Sequence, residues 1–429
     1  MPKQPPSLEK LQEISAEIPT PYHLYDAKGI RDNVRELQEA FAWNPGFMEY
    51  FAVKATPNPT ILRLLKDLGC GVDCASYTEL LLADAVGFRG EQIMLSSNVT
   101  PARTYQLARK MGVLINLDDI SHIDFLAENG GIPKKILLRY NPGGNFTLGT
   151  KVMGNPAEAK YGLTPEQMPV AVKKLQEMGV EEFGLHTFLA SNTTDANYYP
   201  KIARMLFELA VDLNEQLDAK FFLINLSGGI GIPYEPGQKR ADLAYVGREV
   251  EKAYNETIVE AGMDPVAVAA ELGRFITGPN GWLVSTALHH KDIHKKYVGL
   301  DSSASNLMRP SMYGAYHHIT VAGKEDMEAT EVYDVTGALC ENNDKFAIDR
   351  PLPKIEVGDL VVIHDTGAHG HSMGHNYNGM LRSAEVLLEE DGSFEMIRRA
   401  ETPEDLFATV AGFGVPEDLG NPATDPLNN

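Results

Sequence analysis

The stretch Tyr50-Phe51-Ala52-Val53-Lys54-Ala55 is a short apolar, β-prone run that delivers one lysine near its end. A lysine buried at a strand end loses solvation, so its ammonium is disfavoured and its amine becomes a nucleophile able to form a Schiff base. By spacing alone the plainer reading of Lys54 is a strand-end lysine whose head reaches water. Thr56, Pro57, Asn58 and Pro59 then make a turn, and Ile61, Leu64, Leu65 and Leu68 repeat at helical spacing, so a helix follows at once, with Gly69 able to end it. Residues 71–80, GVDCASYTEL, give a second short strand with Asp73 and Ser76 at its exit, the end where strand–helix units collect functional groups.

The same alternation returns as far as about residue 280. Strand-like runs fall near 48–53, 71–74, 92–96, 112–117, 135–140, 182–189, 221–226 and 265–271. Helical patterns such as Ile202, Leu206, Leu209 and Leu213, or Leu243, Val246, Val250 and Tyr254, lie between them. Eight repeats of strand and helix predict an α/β chain built on a (β/α)8 TIM barrel. Upstream, TPYHLYD (20–26) reads as a strand, and Ile30, Val34, Leu37 and Phe41 share one helical face. After Pro279 the texture changes to Gly, Thr, Val, Ile and His broken by turns, with a helical period only around Leu307–Tyr316. GDLVVIHD and AEVLLEEDGSFEMIRR alternate as half-buried strands do, predicting a mostly β second domain. The expected division is a barrel over 27–280, a β domain from 1–26 plus 281–418, and a disordered tail over 419–429, which has nothing to bury.

Composition narrows the partners. With 429 residues, two domains are the natural expectation. A formal charge of −21 argues against nucleic acid and acidic membranes, because phosphates are repelled unless a local basic patch intervenes. MPKQPPSLEK lacks the apolar core of a signal peptide and no apolar run is long enough to span a bilayer, so the expected location is cytoplasmic. Cys70, Cys74 and Cys340 cannot form a disulfide framework.

The words YFAVKATPNP and GVDCASYTEL together resemble the fold-type III pyridoxal-phosphate (PLP) enzymes, the group of diaminopimelate, ornithine and arginine decarboxylases with alanine racemase as a distant relative. In that family this lysine carries the cofactor, so the resemblance implies pyridoxal 5'-phosphate attached at Lys54, with Asp73 beside it. Arg139, in LLRYNP, resembles the family arginine that helps hold the lysine and cofactor region; read by itself it is equally a surface arginine in a salt bridge. In NLSGGIGIPY, glycines at a strand end let backbone amides crowd around a phosphate. Ser227 stands where the family has the first of three glycines; it leaves Gly228 and Gly229 and adds a hydroxyl donor.

Glu271 emerges from the apolar run VAVAA, which is costly without a partner. The resemblance supplies one: the pyridine nitrogen of PLP, which Glu271 would keep protonated so that the ring acts as an electron sink. Gly273 and Arg274 complete a match to the family's Glu-Pro-Gly-Arg word, Leu272 replacing proline, and are implied to approach phosphate and substrate. In GLHTFLASN, His186 and the phosphate-touching Ser191 of the family's His-X-His-Ile-Gly-Ser word are kept, while Phe188 replaces the stacking histidine. A flat aromatic there still gains roughly 1 kcal/mol by stacking; a core aromatic is the alternative.

Three words in the second domain extend the resemblance. NLMRPSMYGAYHHI (306–319) is similar to the diaminopimelate decarboxylase stretch whose arginine and tyrosine, here Arg309 and Tyr313, hold the distal end of the substrate. An arginine fork suits a distal carboxylate. ALCENNDKF (338–346) resembles the Cys-Glu word that reaches across a homodimer into the partner's site, implying Cys340 as a thiol acid near Cα and Glu341 as a contact to the distal amine. In DTGAHGHSMGHNYNG (365–379), His369 stands where the family has a tyrosine that touches phosphate and substrate. The neighbouring His364, His371 and His375 are read without a metal. The resemblance implies a homodimer with shared active sites that converts meso-2,6-diaminopimelate to L-lysine and carbon dioxide, Cys340 or Lys54 returning a proton to Cα. Phe188 and His369 leave open a decarboxylase of the same fold acting on another amino acid; a catalytically silent regulatory homologue is the third reading.

Overall fold

Parallel strands buried on both faces need helices over one face and a filled interior on the other, and the chain meets both demands. The computed structural model describes residues 3–144 and 156–414, so the expected tail over 419–429 lies outside the described residues. Helix α1 (Leu8–Glu17), strand β1 (Tyr22–Asp26) and helix α2 (Ala27–Ala40) come first. Eight strands then close a parallel barrel: β2 (Met48–Ala52), β3 (Gly71–Cys74), β4 (Ile93–Ser96), β5 (Leu114–Leu117), β6 (Lys135–Tyr140), β7 (Glu182–Thr187), β8 (Phe221–Asn225) and β9 (Ala267–Ala270). Each lies within the run expected for it. The intervening helices are α3 (Pro59–Asp67), α4 (Tyr77–Val86), α5 (Ala102–Met111), α6 (His122–Asn129), α7 (Gln167–Glu177), α8 (Tyr198–Leu217) and α9 (Leu243–Tyr254), and the short α10 (Gly273–Thr277) follows β9.

Local chemistry sets these boundaries. Asn58 caps α3 by accepting the Thr60 N–H at 2.9 Å, with Pro59 in the first turn, where no intrahelical donor is needed. Ile30, Val34, Leu37 and Phe41 are all fully buried, as their spacing predicts.

Two layers stack inside the barrel. Tyr50, Met94, Leu114, Leu137, Leu223 and Ala269 pack together as an apolar floor. Side chains two residues apart share a face of a strand, so the next inward positions on five of these strands are Ser96, Asn116, Arg139, Asn225 and Glu271. All five are buried. A polar layer therefore sits on the floor at the C-terminal face, where this architecture places chemistry.

The chain divides into two compact units: Gly29–Pro233 with Gly237–Gly278, and the remainder, to which Tyr234–Pro236 belongs. The second unit is mostly β, with β10 (Gly281–Asp292), β11 (Lys296–Leu300), β12 (Ile319–Val321), β13 (Glu331–Thr336), β14 (Lys345–Leu352), β15 (Leu360–Ile363), β16 (Ala384–Leu388) and β17 (Phe394–Arg398), and the short helices α11 (Arg309–Tyr313) and α12 (Pro403–Phe407). Its main sheet runs β14-β13-β11-β10-β1-β16-β17, with β12 and β15 off that path. Strand β1 is antiparallel to β10 and parallel to β16. Helix α1 had no counterpart in the sequence reading; it buries Leu11 and Ile14 against Tyr22, Leu24, Trp282 and Val386. Among the described residues no helix is long and apolar enough to cross a membrane.

Glu385, on β16, is buried in this sheet, accepting the Tyr25 hydroxyl at 2.6 Å and pairing with Arg398. Burial would raise its carboxyl, but His371, Arg398 and Tyr25 outweigh that and hold it at about 2 against an ordinary 4.5. A depressed carboxyl stabilises the fold fully above its unfolded value, and that stability is lost as the pH falls through the folded one. Glu385→Gln should therefore lower stability at pH 7 by about 3 kcal/mol and flatten the loss between pH 4.5 and 2, measured by urea unfolding at a series of pH values.

Candidate active site

The strand that delivers Lys54 stops one residue earlier than the sequence suggests. Pairing of β2 ends at Ala52, and Val53–Ala55 form a 3-10 turn. That turn carries Lys54 out of the wall with its side chain exposed, as the plainer reading of its spacing has it. Its Nζ lies 5.5 Å from the centre of the Phe188 ring, and its charge acts on the carboxyls of Asp73, Glu79 and Glu271. Phe188 itself is half-buried and meets Tyr161 edge-on at 5.3 Å.

Behind the lysine runs a buried relay of alternating charge. Arg139 is no surface residue: its Nη1 pairs with Asp118 at 2.6 Å, and its Nε donates to His186 Nδ1 at 3.2 Å. With Nδ1 accepting, the ring proton sits on Nε2, which donates to Glu271 Oε2 at 3.3 Å. Asn225 Nδ2 donates to Glu271 Oε1 at 2.8 Å, and the Ser227 hydroxyl donates to Oε2 at 3.3 Å. Burial would raise the Glu271 carboxyl, but the His186 ring, with Lys54 and Arg139 beyond it, outweighs burial and holds it below the usual carboxylate range. Burial lowers His186, so the pair is a carboxylate against a neutral imidazole donor. Asp73 goes the other way: burial, then the Glu271 charge, pushes it well above its usual range, and its Oδ1 has no hydrogen-bond partner. Two buried carboxyls that see each other share one charge.

The turn after β8 and the turn after β9 are packed backbone to backbone. A Cβ on Gly228 would lie 2.9 Å from the Glu271 carbonyl oxygen, and one on Gly229, at φ +113°, would run into the Tyr198 ring. Ser227 holds φ +61°, a left-handed conformation that costs an L-residue roughly 1–2 kcal/mol. Its hydroxyl is committed to Glu271, which corrects the expectation of an added phosphate donor. Gly273 lets α10 lie against the lysine turn, since a Cβ there would meet that of Ala55 at 2.7 Å. Thr56 and Thr277 join the same two segments through their hydroxyls, at 2.9 Å. Arg274 and Ser191 are half-buried.

In the second unit Arg309 is buried on α11, donating from Nη1 to His317 Nε2 at 2.7 Å and stacking 4.6 Å over the Tyr234 ring. Asp365 is raised to about 7 by burial, which the Arg309 charge only partly offsets. Tyr313 is exposed. Cys340 is exposed too, not the small buried hydrophobe that a lone cysteine usually is; its N–H donates to Asn378 at 2.8 Å. Glu341 accepts the Tyr377 hydroxyl at 3.1 Å and lines a cavity of about 360 Å³ with Met308, Met312, Asn343 and His375. His369 is half-buried at φ +57°. Among the described residues no group of three or more His, Cys, Asp or Glu is arranged to hold a metal ion.

Residues 27–278 match the family described as pyridoxal-dependent decarboxylase, pyridoxal binding domain. The chain belongs to the pyridoxal-dependent decarboxylases. It is similar to Protein TabA of Pseudomonas amygdali pv. tabaci, 38% identical over 96% of each chain. It is also similar to the diaminopimelate decarboxylase of Methanothermobacter thermautotrophicus, 32% identical over 95% of this chain and 94% of that one. Among solved structures, a diaminopimelate decarboxylase from M. jannaschii in complex with L-lysine superposes with a TM-score of 0.85 at 30% identity, covering 94% of both chains.

Family membership makes the protein a carboxy-lyase with pyridoxal phosphate as its cofactor. The barrel mouth of this decarboxylase fits that group on its own chemistry: an exposed amine, an anionic acid, an unpartnered buried Asp73 oxygen and a turn with no room for side chains. Sequence reasoning missed Asp118 and Asn225. The inward period of two would have found Asn225, two beyond the floor residue Leu223; Asp118 lies just past the end of β5, where no periodicity reaches. Removing Asp118 should strand a buried Arg139. Asp118→Ala is expected to cost the decarboxylase about 3–5 kcal/mol in urea unfolding, and Asp118→Asn less, because its amide oxygen still accepts one bond.

Proposed function

We propose that this decarboxylase acts on meso-2,6-diaminopimelate, releasing carbon dioxide and L-lysine, as a cytoplasmic homodimer with shared active sites. The observation that carries the substrate is Arg309, a buried guanidinium clamped between His317 and Tyr234 in a word similar to the one that holds the distal end in diaminopimelate decarboxylases. A fixed planar fork suits a carboxylate rather than an amine at that end.

In this reading Lys54 would hold the cofactor through its aldehyde, and the amine of the substrate would compete for that same position. Pyridoxal phosphate, when bound, supplies an electron sink for the pair left at Cα as carbon dioxide departs. Glu271, its carboxylate kept anionic by His186, Lys54 and Arg139, would hold a proton on the ring nitrogen. Asp73 lies beside Lys54, and Phe188 offers its face to the ring. Gly228, Gly229, Gly273, Arg274, Ser191 and His369 would hold the phosphate, Arg274 and His369 also touching substrate. Tyr313 and Glu341 would read the distal end with Arg309. Lys54, or the partner's Cys340 as a thiol acid, returns the proton to Cα.

A second reading has support of its own: Phe188 and His369 replace two residues of the family pattern, which favours a same-fold decarboxylase of another amino acid. Borohydride reduction followed by peptide mapping should place the pyridoxyl label on Lys54, and Lys54→Ala should abolish both label and turnover. Carbon dioxide release over a substrate panel then decides between the two readings. Release from meso-diaminopimelate establishes the first; release only from another amino acid establishes the second.

A further inference from the structure

Glu49 is an acid in an unlikely place. Its neighbours on β2, Met48 and Tyr50, face the barrel floor, so Glu49 turns with Phe51 to the outer side of the wall, beneath the helices. It is 2% exposed, and among the described residues no cation pairs with it. Its Oε1 accepts the backbone N–H of Leu272 at 2.7 Å, and its Oε2 has no hydrogen-bond partner. A carboxyl sunk there with one acceptor bond is costly unless that bond matters.

We propose that Glu49 is a positioning residue for the cofactor site: by holding the Leu272 amide it sets the turn that aims Glu271 and Arg274. The ladder that closes the barrel between β2 and β9 has two register pairs, Met48 with Ala269 and Glu49 with Ala270. The Glu49 side chain carries that seam past the end of the ladder and into the turn. The other amides there are already assigned, Glu271 N–H to the Ser227 carbonyl at 2.9 Å and Gly273 N–H to the Glu271 carbonyl at 3.1 Å. Leucine at 272 creates the need, since the proline of the resembled Glu-Pro-Gly-Arg word has no N–H to satisfy. Glu49 and Leu272 are thus a matched pair, and they tie the strand that leads to Lys54 to the turn that bears Glu271. Burial pushes the Glu49 carboxyl well above its usual range, so it works as a neutral acceptor.

The inference rests on the proposed placing of the pyridoxal ring against Glu271, and one set of variants separates the two. Purified protein is stripped of cofactor and titrated with pyridoxal phosphate, reading the dissociation constant, the absorption band of the bound cofactor and that band's pH dependence. Glu49→Ala should weaken binding by about tenfold or more and move the band. Glu49→Gln, whose amide oxygen still accepts, should stay within about threefold of wild type. Leu272→Pro, added to Glu49→Ala, should recover most of the loss because it removes the donor. If Glu49→Ala does not fold, Glu49→Asp, which retracts the acceptor, takes its place with the same expectation. Unchanged binding and band in Glu49→Ala, a Glu49→Gln as impaired as Glu49→Ala, or additive losses in the double variant would each overturn the inference. Should Glu271→Gln bind the cofactor with unchanged affinity and band, the placing of the ring against Glu271 falls instead.

Discussion

An ionised carboxylate buried just past the end of a barrel strand is the constraint around which the barrel mouth is built. Glu271 remains charged because Asn225, His186 and Ser227 all donate to it, and because Arg139 and Lys54 stand behind and above it. That field has consequences for its neighbours. Asp73 cannot also ionise cheaply, whereas His186 stays neutral because burial outweighs the pull of Glu271, and with Arg139 donating to its Nδ1 its one proton lies on Nε2. Asp118 then anchors the far end of the relay by neutralising Arg139. The result is a site whose charges are assigned before any ligand enters, which is what electrostatic preorganisation requires.

The relay is held in place by the apolar floor beneath it. Tyr50, Met94, Leu114, Leu137, Leu223 and Ala269 fill the barrel and leave the next inward layer no freedom to sink. Close backbone contacts complete the frame: Gly228 against the Glu271 carbonyl, and Gly273 against Ala55. These contacts leave no room for side chains where the two turns and the lysine turn meet.

Much of this architecture can be read from residues in order. The barrel strands are short apolar runs separated by helical periods, and each run lies where its pattern puts it, because strands buried on both faces leave a continuous signal. The Glu271 and Arg309 words are legible for a different reason: they are unusual residue types in fixed company. Three features escape such reading. The exposure of Lys54 depends on where β2 stops pairing, a matter of a single residue. Ser227 sits at a left-handed φ that a serine does not advertise. Glu49 is one acidic residue in an apolar strand, and its partner is a backbone amide more than two hundred positions away.

Strand β1 adds a constraint of timing. It lies between β10 and β16 in its sheet, so both of its neighbours are synthesised after the whole barrel segment. A nascent chain thus has everything needed to close the barrel while the first strand is still an open edge. Order of synthesis favours the barrel as the earlier folding unit, and during that interval Tyr22–Asp26 is the stretch most in need of shelter from pairing with other chains.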